Sequence, residues 1–374
     1  MVDYVIKQRR TLHEIPELGF DLPRTSQYIY NELVSMGYQP IQMAHTGWVI
    51  EKKGISSESI LFRTDMDALP VEEKTKVSFA SKHKGKMHAC GHDGHMAMML
   101  GFARYLSSCP PLKKGVVMIF QPAEEGPGGA KVMIEEGLFD RYDIQAVFGI
   151  HLYPGLEEGI YGLVDGAMLA QNGEFDLVIE GRSAHGAQPE AGRDAILAAA
   201  QLIEAYQSVI SRRISPLEPA VITIGTIQGG EARNIIAQRV AISGTMRAFS
   251  DETYQKMKEE IKRIDQGIAF THDVIIHHNI MDYYPAVSND HHLFTQLINV
   301  LPKKSFQLIK PMTFSEDFAF YQQHVPGVFV MLGTRNEKKG YIHPLHSCYF
   351  QFDESVLIKG VELYQNILHM MDAI

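Results

Sequence analysis

Residues 174–181, EFDLVIEG, open a run of elements that decides how this chain is built. A long helical stretch follows this strand, RDAILAAAQLIEAYQSVISRR (193–213), and then two more strands, AVITIGTI (220–227) and RVAISGTMRAF (239–249). A second helix is predicted from Asp251, a good N-cap, with Tyr254, Met257, Ile261 and Ile264 at helical spacing. DVIIHHN (273–279) closes the series. The order βαββαβ is that of the ferredoxin-like split unit.

The flanking sequence reads differently. The apolar runs ILFR (60–63), VVMIF (116–120), AVFGI (146–150) and VFVML (328–332) lack strict alternation, as strands buried on both faces do. Helix-length segments such as 95–107 and 129–136 lie between them, so an α/β sheet of mainly parallel character is expected. The ferredoxin-like unit therefore reads as an insertion. Residues 1–172 and 284–374 would form one discontinuous α/β domain, and 173–283 a second domain. The helix DESVLIKGVELYQNILHMM (353–371) would pack back on the first sheet.

The chain has 374 residues, 45% of them hydrophobic and 21% charged, enough for a sizeable core and about two domains. A formal charge of −9 argues against nucleic acid as a partner. Three cysteines, Cys90, Cys109 and Cys348, give no full disulfide framework and favour a reducing compartment. The N-terminal stretch has scattered charges rather than the apolar core of a secretory signal, and no window is apolar enough to span a membrane. A cytoplasmic protein is expected.

Polar clusters follow the strands of the α/β part: RTDMD (63–67), QPAEEGPGG (121–129) and His151. In open α/β sheets ligands bind beyond the carboxyl ends of strands, so these clusters can share one crevice. A helix beginning near His95 would bring MHACGHD (87–93) to it. Cys90, His92, Glu124, Glu125, His151 and His346 then offer a thiolate, imidazoles and carboxylates, a mixture suited to Zn²⁺ or related borderline cations. More donors than one tetrahedral ion needs suggests two ions, with one of the adjacent glutamates ligating and the other serving as general base.

Each piece has an ordinary structural counterpart. A Cys-Gly-His can be structural, a Glu-Glu pair can be a solvated face, and His343 and His346 can be surface residues. Four clusters at strand ends together favour a site. Met96, Met98 and Met99 read as helix core, His13 as structural, Asp93 and His95 as supports or helix-start residues, and His88 has no assignment. A Cys90–His92 or Cys90–His151 nucleophilic pair is the competing chemistry, but it leaves Glu124, Glu125 and His346 unexplained.

Taken in order, RTDMDALPVEE, HACGHDGHM, FQPAEEGPGGA, GIHLYPGLEEG, SAHGAQP, GGEARNIIA, GTMR and HPLHS resemble the motifs of the M20 metallopeptidase family. They are most similar to its amidohydrolase branch of aminoacylases, hippurate hydrolases, auxin-conjugate hydrolases and N-acetyldiaminopimelate deacetylases. The resemblance runs from about Arg10 to His346. It implies a catalytic α/β domain with an inserted ferredoxin-like lid that often dimerises, and hence a homodimer through the lid. It further implies two divalent ions (Zn, Mn, Co or Ni) on Cys90, His92, Glu125, His151 and His346, with Cys90 bridging, Glu124 as general base and Asp67 as the acid that orients a metal-binding histidine. His185, Asn234 and Arg247 match groups that hold the substrate carbonyl or carboxylate.

Asp65 stands where the wider family has the histidine of an HxD motif, a mark of the amidohydrolase branch, and is not expected to be a ligand. The activity implied is removal of the acyl group from small N-acyl amino acids. GPGGA (126–130) and GLFDRYDI (137–144) resemble the N-acetyldiaminopimelate deacetylases; GHDGH (91–95) and AHTGW (44–48) are equally at home in general aminoacylases. A dipeptidase, and a non-catalytic ligand-binding homologue, are the alternatives.

Overall fold

A computed structural model describes all 374 residues. The strands of its two main sheets are, in chain order, β1 (Ile41–Met43), β2 (Gly47–Lys52), β3 (Glu58–Asp65), β4 (Gly115–Gln121), β5 (Asp143–Glu157), β6 (Tyr161–Leu163), β7 (Gln171–Glu180), β8 (Ala220–Gly229), β9 (Arg239–Ala248), β10 (Ile275–Asp282), β11 (Phe306–Leu308) and β12 (Gly327–Arg335). The principal helices are α1 (Val2–His13), α2 (Pro23–Ser35), α3 (His92–Ser107), α4 (Gly129–Glu135), α5 (Ala195–Ser208), α6 (Asp251–His272), α7 (His291–Val300) and α8 (Leu357–Met370).

The fold is mixed α/β, and contacts divide it into two compact units. The first comprises Met1–Gly166, Ser288–Lys310 and Asp317–Ile374; the second comprises Ala167–Val287 and Pro311–Glu316. In the first unit eight strands run in the order β1-β2-β4-β3-β5-β12-β6-β11, with β4, β3, β5 and β12 mutually parallel at the centre. Every residue of β4 is buried, as its unbroken apolar run requires of a strand covered on both faces. Helix α3 is buried around nearly its whole circumference by Met96, Met98, Met99, Leu100 and Phe102, and packs beneath α1 and α8.

Two local features aim the ends of these elements at one place. Gly94 sits where α3 begins, and a methyl there would come within 2.7 Å of Leu152 Cδ1 and 3.0 Å of Phe352. Its bare backbone lets the first turn of α3 lie against β5. β5 is also far longer than its apolar run, continuing to Glu157, so His151 lies inside the strand rather than after it.

The second unit is a four-stranded antiparallel sheet of order β10-β7-β9-β8. With α5 and α6 it follows the order βαββαβ. Phe175, Leu177 and Ile179 of β7 face Ala198, Leu202, Tyr206, Tyr254, Met257 and Ile261 of the helices. The cap of α6 is Ser250, whose hydroxyl accepts from the Thr253 N–H; Asp251 is instead the first helical residue, an acid placed where the helix dipole favours it. The helix 193–213 is shorter than its apolar pattern: Asp194 caps it at Ala195, and Val209–Arg213 wind as a π turn.

Candidate metal centre

Four stretches of the first unit converge. The end of β3 supplies Asp65 and, two residues on, Asp67; the turn after β4 supplies Glu124 and Glu125; the entry to α3 supplies Cys90, His92 and His95; β5 supplies His151. The loop after β12 adds His346, whose N–H donates to the Ala89 carbonyl (2.9 Å) and whose φ of 64° is left-handed. That bond ties His346 directly to the segment carrying Cys90.

Cys90, His92 and His151 each bring one ligand atom to within 4.8 Å of the others; so do Cys90, Glu125 and His346, and His92, Glu124 and Glu125. Cys90 Sγ lies 3.5 Å from His151 Nε2, and Glu125 Oε1 lies 3.3 Å from His346 Nε2 and 3.9 Å from His92 Nε2. The structure thus groups the five expected ligands, with Cys90 common to two of the sets. Both ring nitrogens of His92 are buried without a hydrogen bond, a costly state for a polar ring unless a further group completes it. Thiol, imidazole and carboxylate donors of this mixture fit a borderline divalent cation.

The turn carrying the glutamates is tightly specified. Asp67 Oδ1 accepts from the Glu124 N–H (3.0 Å) and Oδ2 from the Glu125 N–H (3.1 Å), while Oδ1 also lies 3.5 Å from His92 Nδ1. Asp67 therefore touches both the histidine and the glutamate pair. The Ala123 carbonyl accepts from Gly128 and Gly129, and a methyl on Gly129 would stand 1.8 Å from the Pro122 oxygen. Only glycine fits there.

Electrostatics follow from burial against a dense set of anions. Burial alone would lower His92, but Asp65, Asp67 and Glu125 outweigh it and push it up to about 10. Burial and the neighbouring His95 hold His151 well below the ordinary imidazole range. Burial, then Glu125 and Glu124, push the Cys90 thiol well above its usual value. A nucleophilic thiolate needs the opposite environment, so the Cys90–His151 pair is poorly suited to that role.

Sequence reading left two residues without their partners. His95 Nδ1 lies 2.7 Å from Asp65 Oδ1, and Asp65 Oδ2 accepts from Arg63 Nη1 (2.8 Å). Arg63, fully buried, also donates to Gln121 (2.9 Å) and Asp317 (2.7 Å). Engaged this way, Asp65 is a brace. The signal was present as two polar residues inside a buried strand, Arg63 and Asp65, which demand buried partners. His88 is buried with neither ring nitrogen bonded and joins none of the donor sets.

His185, Asn234 and Arg247 belong to the second unit. There the loops of the first two meet: the Gly186 N–H donates to the Asn234 carbonyl (2.8 Å) and His185 bridges to Ile235. Arg247 lies in β9 opposite Asn172 and Val221, with a buried Nη1 that has no hydrogen bond.

Residues 61–370 match the model of peptidase family M20/M25/M40. The chain belongs to that family, and is accordingly a hydrolase of amide bonds. It is 37% identical over 371 residues to an N-acetyldiaminopimelate deacetylase of Leuconostoc citreum, covering 96% of this chain and 94% of that one. It is 38% identical over 371 residues to an N-acetyl-L-cysteine deacetylase of Bacillus subtilis, covering 98% and 88%. A solved Bacillus subtilis structure, described as a dinuclear metal-binding peptidase of the M20 family, superposes with a TM-score of 0.85 at 32% identity, covering 98% of this chain and 97% of that chain.

Proposed function

We propose that this chain removes the acyl group from N-acyl amino acids with the help of two divalent cations, and that N-acetyldiaminopimelate is its substrate. The observation that carries the reading is the pair of donor sets meeting at Cys90, beside a glutamate pair that Asp67 holds by both backbone N–H groups. Cys90, His92, Glu125, His151 and His346 would hold the cations, with Cys90 shared between them. When bound, the cations supply Lewis acidity to the scissile carbonyl and lower the pKa of a water.

Glu124 takes the proton of the attacking water as the new C–O bond forms at the carbonyl carbon. It holds that proton on a carboxylate oxygen, then delivers it to the amine nitrogen as the C–N bond breaks. The products are a carboxylic acid, which ionises by giving up the remaining water proton, and a free amine. Asp67 fixes the backbone from which Glu124 projects, so the base needs no rearrangement to act. On the second unit, Arg247 is assigned the substrate carboxylate, and His185 and Asn234 the substrate carbonyl or carboxylate; the buried Nη1 of Arg247 has no hydrogen bond and is free to donate to the carboxylate. A homodimer through the second unit and a cytoplasmic location, in keeping with three free cysteines, belong to the same proposal.

The test is release of amine from N-acetyldiaminopimelate, N-acetyl-L-cysteine and N-benzoyl amino acids, with the protein metal-stripped and then given Zn²⁺, Mn²⁺ or Co²⁺. Turnover should vanish on stripping and return with metal, with N-acetyldiaminopimelate preferred. Full turnover in the stripped protein overturns the cation reading. Preference for N-acetyl-L-cysteine reassigns the substrate alone. Replacing Arg247 by Ala should raise KM for carboxylate-bearing substrates; equal loss on substrates without a carboxylate contradicts its role.

A further inference from the structure

The geometry points to His95 as a positioning residue that, braced by Asp65, fixes the tautomer and pose of His151 through the backbone of Leu152. The inference rests on the reading of His151 as a cation ligand.

The chain of contacts assigns every proton. The Leu152 N–H donates to His95 Nε2 (2.9 Å), so that nitrogen carries no hydrogen. The ring proton of His95 must then sit on Nδ1, which donates to Asp65 Oδ1 (2.7 Å). Asp65 cannot swing to another partner, because its second oxygen is taken by Arg63 Nη1 (2.8 Å). On the other side of the same residue, His151 Nδ1 stands 2.7 Å from the Leu152 carbonyl oxygen, a pure acceptor. His151 therefore bears its proton on Nδ1, which leaves the Nε2 lone pair facing Cys90 Sγ at 3.5 Å. A ligand histidine needs that arrangement.

The sheet explains why side chains occupy these backbone groups. β5 makes its last rung with β3 at Gly149, opposite Arg63, yet continues to Glu157. Beyond that rung Leu152 bonds to His95 where a strand would otherwise stand, and its carbonyl is free to take His151. The His95 ring is fully buried, with its centroid 4.6 Å from that of His151 at 64° and 5.3 Å from that of His92 at 30°. It thus packs against two candidate ligands while bonding to neither. Its own Nε2 is spent on the Leu152 N–H, which removes His95 itself from the ligand set.

Two variants and one measurement on the unaltered protein test this. His95→Leu removes both hydrogen bonds, whereas His95→Gln can keep them, its amide N–H toward Asp65 and its carbonyl toward the Leu152 N–H. Long-range ¹⁵N–¹H spectra of the zinc-loaded full-length protein read the His151 tautomer, and transfer of zinc to a chromophoric chelator reads ion affinity. His151 should be protonated on Nδ1 in the unaltered protein. In His95→Leu one of two zinc ions should be held roughly 10- to 100-fold more weakly. His95→Gln should return to within about threefold. A His151 protonated on Nε2 in the unaltered protein overturns the inference even if His95→Leu fails to fold, and so does wild-type retention of both ions by His95→Leu. A His95→Gln as weak as His95→Leu also overturns it, since shape rather than hydrogen bonding would then matter. His151→Ala separates the two layers: if it keeps both ions, the ligand reading falls and this inference with it. If it loses one while His95→Leu loses none, only the positioning role falls.

Discussion

His92 and Asp93 are neighbours at the start of α3, yet they belong to two buried polar clusters of opposite construction. Asp93 Oδ2 accepts from Arg9 Nε (2.9 Å) and lies 2.8 Å from His13 Nδ1; His13 Nε2 lies 3.2 Å from Glu73. The Arg9 guanidinium also reaches Glu354 (3.3 Å) and lies over the Phe352 ring, 4.3 Å from its centroid. That cluster contains its own permanent cation. On the His92 side the ion-pair partners of Glu125 are histidines only, His346 and His92, and Cys90 sits among the same groups. Buried anions with a resident arginine make a finished brace. Glu125, whose ion pairs are with imidazoles, and the neighbouring Cys90 thiol are instead groups that a cation from outside would finish.

The contrast can be broken at its chemical end first. Glu124→Gln keeps the shape of the turn and the Asp67 hydrogen bonds to the backbone but cannot take a proton. Turnover should fall about 10²- to 10⁴-fold with metal content unchanged. Near-wild-type turnover would remove Glu124 from its role; loss of metal together with turnover would make it a ligand instead.

The structural end comes next. Arg9→Met fills similar space but strands Asp93 in the interior, and breaking a buried pair this way costs about 3–5 kcal/mol. Denaturant melts should show that loss while the folded fraction keeps both its metal content and its turnover per molecule. If Arg9→Met instead emptied the metal centre at full stability, the two clusters would be one functional unit and the distinction would collapse.

How far the two clusters could be read in the sequence differs for a physical reason. ILFR, VVMIF, AVFGI and VFVML are strands because an unbroken apolar run has few other uses, and the donors that follow them were legible as a set by their chemistry. The partners of the braces were not. Arg9 and Asp93 are far apart in the chain, and nothing local distinguishes an arginine on α1 that reaches the interior from one facing water. His95 was legible as a support or helix-start residue, but what it supports was hidden, because its partner, the Leu152 N–H, is a backbone group with no signature. The length of β5 was not legible from its apolar run, which stops at Ile150; in the structure Tyr153, Pro154 and Gly155 are accommodated within the strand. At α6 a local rule named the neighbour of the true cap, since Ser250 and Asp251 are both good N-cap types and only backbone geometry separates them.

The smallest effect is also the one most specific to the brace. His13 is enclosed by Asp93, Glu73, Arg9 and His88. Burial lowers its pKa, but Asp93 and Glu73 outweigh burial and Arg9, so the net shift is upward from the ordinary 6.5. A group whose folded pKa is raised contributes stability that is complete below its unfolded pKa and is lost as pH rises through the folded value. Each unit of raise is worth about 1.4 kcal/mol. His13→Gln does not titrate, so the stability gap between it and the unaltered protein should be widest below about pH 6.5. It should narrow steadily as the solution is made alkaline. Unfolding free energies of both proteins measured from weakly acid to alkaline pH check this. A gap that stays flat would mean His13 is neutral throughout and serves by packing alone. A gap that widens with pH would mean burial wins over Asp93 and Glu73, and the brace would then depend on Arg9 as its only cation.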